Sequence, residues 1–366
     1  MTAIVLARSA PLPPEVVDDV QALAAANAGD VDTGQTPASW VIGALAERGH
    51  LDLGINALLA DPTAQLDLTD LTGLVDAIAQ EDVASAFSFW AHRMVLDYLA
   101  RGRRTPALDA ELADLRRGQR LGSTAMATGV KALAGIDALP VQAVVAADRL
   151  RLDGVIPWAS NLTPDATVVV AAGLPDGGAI AVAVRVDAPG VTRRAATGLL
   201  ALDATASGTL RLDGVVISRD AVLADDLRAF AATFRPTFLV LQSAFALGLA
   251  RRSLLEAGRL QGRPDLDVLR PQVEVLADVL ARHTESRERI ARDPGAAPLA
   301  DILRLRLDVV DLAVAATRLE ATLTGGRGYA SASPTARRLR EAAFFPIQSP
   351  SEGHLRWELS SLTSTA

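Results

Sequence analysis

The chain has 366 residues and a formal net charge of −7, from 36 Lys and Arg residues against 43 Asp and Glu. Half of the residues are hydrophobic and 22% are charged, which excludes a disordered chain and is ample for a large buried core. The acidic balance argues against a nucleic acid or an anionic membrane as the main partner. Cysteine is absent, so disulfides, thiolate nucleophiles and zinc–thiolate sites are excluded.

The sequence predicts a soluble, cytoplasmic protein with no membrane span. The first 14 residues contain three prolines and lack the basic start of a secretory signal. The longest apolar stretch, residues 238–250, is broken by Gln242 and Ser243 and is too short to cross a bilayer. The lack of cysteine fits a reducing compartment.

The first third of the chain has helical periodicity. Apolar residues recur at helical spacing from residue 14 to about residue 102, and they predict helices over residues 69–80 and 85–100. A shorter charged helix is predicted over residues 108–117.

From residue 122 the pattern changes to short segments rich in Val, Leu, Ile and Thr, separated by turn signals. Two Asp-Gly pairs, at 153–154 and 213–214, predict turns. Several short strands at regular spacing are typical of an antiparallel sandwich or barrel. The predicted strands cover residues 141–147, 150–156, 167–172, 179–186 and 209–216.

Long helices return after residue 226. They are predicted over residues 237–258, 266–293 and 299–323, lengths that suit a four-helix bundle, and a short helix is predicted near the end of the chain. The fold class is therefore α+β. We predict an all-α domain at 1–121, a β-domain at 122–223 and an α-bundle at 224–366.

Common catalytic motifs do not identify the chemistry. The four histidines lack metal-ligand spacing, so no metal site is predicted. There is no P-loop, no Rossmann glycine fingerprint and no G-x-S-x-G nucleophile elbow. From the residues alone, the chain is an α-β-α protein whose chemistry is not identified.

Three local motifs are more informative. Residues 154–161 read GVIPWASN, so a predicted strand ends in an aromatic residue followed by a hydroxyl and an amide. Residues 123–128 read STAMAT at the start of the β-domain. Residues 324–329 read TGGRGY, and Pro334, Arg337 and Arg340 follow them.

The α-β-α order and these motifs together resemble the acyl-CoA dehydrogenase family of flavoproteins, over nearly the whole chain. The resemblance implies FAD as cofactor, with FMN as the alternative. It places Trp158 against the flavin ring and the hydroxyl of Ser160 near the reactive N5 edge, which needs an apolar wall and one polar group. It implies that Thr128 binds the pyrimidine edge. Glycines 325 and 326 approach the pyrophosphate or adenosine, usually of the neighbouring subunit.

The resemblance also implies partners. The substrate would be an acyl thioester of CoA or of an acyl carrier protein, and electrons would pass to a flavoprotein or reductase. A homodimer or homotetramer is expected because the cofactor site of the family spans subunits, and a hetero-oligomer is the alternative.

The catalytic base has two candidate positions. Many family members carry it in a Y-E-G-T sequence, and counting without gaps places Ser349 at the glutamate and Ser351 at the threonine, whose hydroxyl faces the flavin. A shift of three residues makes Glu352 the base. Otherwise Glu352 is a surface residue paired with Arg356. His354 is a further acid/base candidate.

Three functions remain open at this point. The first is α,β-dehydrogenation of an acyl thioester with Glu352 as base. The second is monooxygenation with reduced flavin supplied by a reductase, which needs no such base; Ser160, His92 and His354 are its candidate hydrogen-bonding groups. The third is a non-catalytic subunit that completes the flavin site of a related chain.

Overall fold

A computed structural model describes residues 12–260 and 262–364 of the chain. Helices come first, then a sheet, then helices again, as the sequence predicted. The prediction that there is no targeting segment concerns residues 1–14, of which 1–11 lie outside the described residues.

The first helical region surrounds one buried helix. That helix begins after Asp82, whose carboxylate accepts hydrogen bonds from the backbone N–H groups of Ala84 and Ser85, and it ends at Gly102. Nearly every side chain on it is buried, and the two predicted helices on either side are confirmed. The helices of this region are α1 (Pro14–Asp32), α2 (Trp40–Glu47), α3 (Ile55–Ala60), α4 (Thr69–Glu81), α5 (Val83–Arg101) and α6 (Pro106–Arg116).

The sheet of the second region has eight strands and one short helix. Its elements are β1 (Gly122–Thr124), α7 (Ala127–Leu133), β2 (Val141–Ala146), β3 (Arg149–Ala159), β4 (Thr167–Gly173), β5 (Ala179–Arg185), β6 (Val191–Ala195), β7 (Gly208–Ser218) and β8 (Val222–Ala224). The order is β6-β7-β3-β2-β4-β5-β8, with β1 added to β4. Most pairs are antiparallel, but β1 and β2 each pair parallel to β4, so the sheet is mixed rather than purely antiparallel.

Both predicted Asp-Gly turns are wrong. Residues 153–154 and 213–214 lie inside the long strands β3 and β7, opposite each other, where the pairing register shifts. Gly214 has φ +60°, and its N–H donates to Asp153 Oδ1 at 2.8 Å, so the pair forms a β-bulge. A glycine is also needed at 154, because a Cβ there would lie 2.2 Å from the carbonyl oxygen of Pro140.

The described part of the third region contains three long helices and three shorter ones. They are α8 (Leu227–Arg259), α9 (Pro264–Asp267), α10 (Arg270–Arg292), α11 (Leu299–Thr324), α12 (Pro334–Ala342) and α13 (Glu352–Ser364). By length and composition α8 could span a membrane, but 89% of its most apolar window is buried inside the protein. It is the central helix of the bundle.

The helical regions on either side of the sheet share one core. Leu74, Phe245 and Val310, from α4, α8 and α11, belong to the same buried cluster, whereas the sheet has a second cluster of its own. Gly248 lets α8 approach α4, since a Cβ there would lie 2.4 Å from the Asp76 carbonyl oxygen. The three-domain boundaries therefore stay a prediction drawn from the sequence.

Candidate functional site

A cavity of about 480 Å³ opens where the sheet meets both helical regions. Its wall is mostly apolar, and it comes from α5, α7, the end of β3, the loop before β7, α8 and the segment after α12. The lining residues are Phe87, Trp90, Thr124, Ala127, Thr128, Lys131, Pro157, Trp158, Ala159, Ser160, Leu199, Leu200, Ala201, Leu202, Ser207, Phe238, Arg340, Ala343, Phe344, Ile347, Gln348, Ser349 and Ser351.

Four of the seven predicted site residues line this cavity. Thr128, Trp158, Ser160 and Ser351 come from separate segments of the chain, and the fold brings them to one place. The other three, Gly325, Gly326 and Glu352, are not among its lining residues.

Trp158 owes its position to an irregularity in β3. Between Ile156 and Ala159 the pairing of β3 with β7 shifts, and Pro157, which has no N–H to donate to the sheet, lies within the shift. The indole of Trp158 is 58% exposed and forms part of the cavity wall. A partly exposed indole in an apolar cavity is a ready stacking surface for a planar ligand.

Ser160 is the first member of a row of three hydroxyl groups. Its Oγ lies 2.9 Å from Ser207 Oγ, which lies 2.7 Å from Thr205 Oγ1, and Thr205 donates to the Leu202 carbonyl at 2.7 Å. Sequence reasoning missed Ser207, which also lines the cavity. No local signal could have found it, because it lies 47 positions from Ser160.

Asn161 locks the end of β3 to two other parts of the protein. It has a left-handed backbone, with φ +56°, which asparagine tolerates better than most residues. Its Oδ1 accepts a hydrogen bond from Ser88 Oγ, and its Nδ2 donates to the backbone carbonyls of Ser88 and Gly122. Its own N–H donates to the carbonyl of Thr205. These bonds join the end of β3 to α5 and β1. The orientation of Trp158 and Ser160 depends on this joint.

His92 holds the same joint from the other side, but it does not line the cavity. Its Nδ1 accepts from the N–H of Gly122 at 3.0 Å, and its Nε2 donates to the Leu115 carbonyl at 3.1 Å. Burial lowers the pKa of His92 to about 3; the bond to Leu115 opposes this shift and the neighbouring Arg93 adds to it. His92 is thus a neutral structural residue in this fold.

The segment after α12 supplies hydroxyl and amide groups to the cavity. Gln348, Ser349 and Ser351 line it. Which register of this segment corresponds to the base of the family stays a prediction. Buried Arg306 holds this segment by donating to Gln348 Oε1 at 2.9 Å, and Gln242 Nε2 donates to the Ser349 carbonyl at 2.9 Å. Burial lowers the pKa of Arg306 to about 10.

Glu352 lies outside the cavity, at the start of α13. Its carboxylate accepts a hydrogen bond from Arg356 Nε at 2.8 Å, the surface pairing that the sequence offered as the alternative to a base. The histidine two residues later, His354, is buried, with its Nε2 3.4 Å from Glu358 Oε1, and it does not line the cavity either. Neither residue is therefore part of the cavity wall.

Two cationic side chains reach the cavity wall. Arg340 Nη2 donates to both carboxylate oxygens of Asp32, at 2.7 and 2.6 Å, so its charge is balanced. Lys131, on the same face of α7 as Thr128, lies 3.6 Å from Asp137. Among the described residues that line the cavity there is no carboxylate and no imidazole.

Gly325 and Gly326 form an exposed turn after α11, and Gly325 has φ +63°. A Cβ at either position would meet nothing within 4 Å. That these glycines approach a cofactor in a neighbouring subunit stays a prediction.

No family model and no curated protein matches the sequence. Solved structures match nearly all of it. A probable acyl-CoA dehydrogenase from Mycobacterium abscessus has a TM-score of 0.85 at 14% identity, covering 98% of this chain and 100% of that chain. FkbI, described for biosynthesis of the methoxymalonyl extender unit of the polyketide immunosuppressant Fk520, has a TM-score of 0.80 at 18% identity, covering 96% and 99%.

A third match is a glutaryl-CoA dehydrogenase from Mycobacterium smegmatis in complex with FADH2. Its TM-score is 0.74 at 16% identity, and the match covers 97% of this chain and 96% of that chain. At these identities it is the fold that is shared. The chain has the acyl-CoA dehydrogenase fold, as the resemblance of its motifs predicted.

Proposed function

We propose that this chain binds a flavin, FAD rather than FMN, in the cavity beside Trp158 and works as a flavin-dependent oxidoreductase. The observation that carries the proposal is that Thr128, Trp158, Ser160 and Ser351 line one cavity, although they come from four separate segments. A structural neighbour in complex with FADH2 supports it.

The cavity suits the flavin ring system. It offers an apolar wall, one partly exposed indole for stacking, and hydroxyl groups that orient the polar edge. A bound flavin would supply two-electron transfer, or, when reduced, the activation of oxygen. Trp158 would support the ring, Ser160 would contact its reactive edge, and the aromatic side chains of α5 would exclude water.

For the reaction itself, the cavity favours monooxygenation over dehydrogenation. Removal of an α-proton needs a base within hydrogen-bond reach of the substrate, and none of the described residues that line the cavity is a carboxylate or an imidazole. Monooxygenation at a carbon that is already electron-rich, such as that of an enolised acyl thioester, needs no such base in the cavity. It converts C–H to C–OH, one oxygen atom of O2 leaves as water, and the reduced flavin supplies two electrons and two protons.

One protein that shares the fold supports this choice, whereas the acyl-CoA dehydrogenases among the matches support the alternative. FkbI serves the biosynthesis of a methoxymalonyl unit, an acyl unit that carries an added oxygen. Glutaryl-CoA dehydrogenase supports an acyl thioester as substrate class. A reductase that delivers reduced flavin would then be the electron partner, in place of a flavoprotein acceptor.

Trp158→Ala is expected to weaken FAD binding by roughly tenfold or more, because it removes the stacking surface. Trp357→Ala is the matched control, since that indole is 55% exposed but does not line the cavity. Anaerobic titration followed by flavin absorbance and fluorescence measures both affinities. Equal losses in the two variants would contradict the assignment.

Lys131 offers a second readout of the same binding event. It is the only lysine of the chain and it lines the cavity, so an amine-specific reagent reports on one side chain besides the terminal amine. FAD is expected to protect Lys131 from labelling in the wild type, measured by peptide mass spectrometry. Labelling that is unchanged at saturating FAD would place the flavin elsewhere.

A turnover experiment distinguishes monooxygenation from dehydrogenation. Reduced FAD, O2 and a series of acyl-CoA thioesters are expected to yield a hydroxylated acyl product, and Glu352→Gln is expected to leave its rate unchanged. Anaerobic bleaching of bound FAD by an acyl-CoA, abolished in Glu352→Gln, would instead identify a dehydrogenase with Glu352 as base. Activity that appears only with a co-purifying related chain would identify an accessory subunit.

A further inference from the structure

Three hydroxyl groups, two of them on residues of the cavity wall, form a continuous row. Ser160 and Thr205 are buried, Ser207 lies between them, and the row ends at the carbonyl oxygen of Leu202. Each neighbouring pair of oxygen atoms is within 2.9 Å, so each pair is a hydrogen bond.

The loop that carries this row is held in an unusual shape. Leu202 and Ala206 both have left-handed backbones, with φ +66° and +49°, which cost energy for residues other than glycine. The loop is fastened to the end of β3, because the N–H groups of Asn161 and Leu162 donate to the carbonyls of Thr205 and Ala206. The strain is thus maintained where the hydroxyl row is built.

The three hydroxyl protons can be arranged in two ways that keep both hydrogen bonds between the hydroxyl groups. In the inward state Ser160 donates to Ser207, Ser207 to Thr205 and Thr205 to the Leu202 carbonyl, so Ser160 presents only a lone pair to the cavity. In the outward state Thr205 donates to Ser207 and Ser207 to Ser160, so Ser160 directs its proton into the cavity. The Leu202 carbonyl keeps a bond from the Thr205 N–H at 3.1 Å in both states.

We propose that this row is a reversible hydrogen-bond relay whose direction follows the redox state of the bound flavin. The inference rests on the proposed function, which places the reactive N5 edge of the flavin at Ser160. Oxidised flavin has an acceptor at N5 and selects the outward state; reduced flavin has an N–H there and selects the inward state. Thr205, which is not among the lining residues, is a positioning residue, and Ser207 acts in the relay through its bond to Ser160.

The relay predicts which redox form of the flavin binds less tightly when a hydroxyl of the row is removed. Without the Ser207 hydroxyl, Ser160 can still donate to oxidised flavin. With reduced flavin, however, Ser160 must accept from N5–H, and its own proton then has no protein partner. A buried donor without a partner costs more free energy than an unused lone pair. Removal of the Ser207 hydroxyl therefore weakens the binding of reduced flavin more than that of oxidised flavin.

Ser207→Ala is expected to weaken the binding of reduced FAD about tenfold relative to oxidised FAD, a change of about 30 mV in the two-electron potential of bound flavin. Anaerobic fluorescence titrations with both forms of FAD measure the ratio of the two dissociation constants. Thr205→Val, which keeps the side-chain shape, is expected to shift the ratio in the same direction.

Ser207→Thr keeps a hydroxyl at this position and is expected to keep the wild-type ratio of the two dissociation constants. Thr163→Val is the matched control, because the Thr163 hydroxyl bonds only to Asp165 and is not part of the row. If Ser207→Ala weakens both forms equally, the relay is overturned while flavin binding stands. If the wild type binds neither form, the proposed function fails and the relay with it.

Discussion

Asn161→Ala is expected to lower the free energy of unfolding by about 4 kcal/mol and to abolish ligand binding in the cavity. Two backbone carbonyls, of Ser88 and Gly122, and the hydroxyl of Ser88 would each lose the buried hydrogen bond that Asn161 makes to them. Alanine is also strained in the left-handed backbone that this position adopts. Urea unfolding followed by circular dichroism measures the stability change.

Asn161→Gly separates the loss of hydrogen bonds from the backbone strain. Asn161→Gly loses the same hydrogen bonds but accepts φ +56° without strain, so it is expected to be about 1 kcal/mol more stable than Asn161→Ala. Asn56→Ala, at a surface residue that bonds to Arg116, controls for the loss of an amide elsewhere. A loss in Asn161→Ala no larger than in Asn56→Ala would show that the joint is not needed for stability.

Acid is expected to destabilise the protein through His92, by about 2 kcal/mol between neutral pH and roughly pH 5. Burial lowers the pKa of His92 from 6.5 to about 3. Below about pH 6.5 the unfolded chain therefore takes up a proton that the native protein does not, so stability falls as the pH falls. Protonation would also remove the acceptor at Nδ1 that Gly122 uses.

His92→Gln isolates this contribution from those of the carboxylates and of His283. The free energy of unfolding of His92→Gln is expected to change less steeply between roughly pH 6.5 and 5 than that of the wild type, because the variant has no imidazole to titrate. Denaturant titrations across this range give both slopes. Parallel profiles would mean that His92 does not link folding to pH.

The two predictions concern one structural joint. Gly122 opens β1, its N–H is held by His92 of α5, and its carbonyl is held by Asn161 at the end of β3. A Cβ at residue 122 would lie 2.8 Å from Val95, so α5 and β1 are packed in close contact there. This joint sets the position of α7, which carries Thr128, relative to Trp158. The cavity therefore depends on residues that do not line it.

Local sequence patterns predicted the elements well, because hydrophobic periodicity reflects which face of an element is buried. Five predicted elements appear within two residues of their expected ends, namely the helices over 69–80, 85–100 and 299–323 and the strands over 141–147 and 167–172. The Asp-Gly pairs misled the prediction, because a glycine with positive φ serves a bulge as well as a turn, and only the facing strand decides which.

By itself the sequence determined the α-β-α order, the placement of Trp158 and Ser160 at the end of a strand, and the acyl-CoA dehydrogenase fold. These are local or whole-chain patterns, and they remain readable without knowledge of contacts. The tertiary structure alone decided which hydroxyls join Ser160, that Ser349 and Ser351 line the cavity, and that Glu352 pairs with Arg356 and does not line it. Such pairings depend on contacts between residues far apart in the chain, where a shift of less than one helical turn moves a carboxylate from a cavity to the surface.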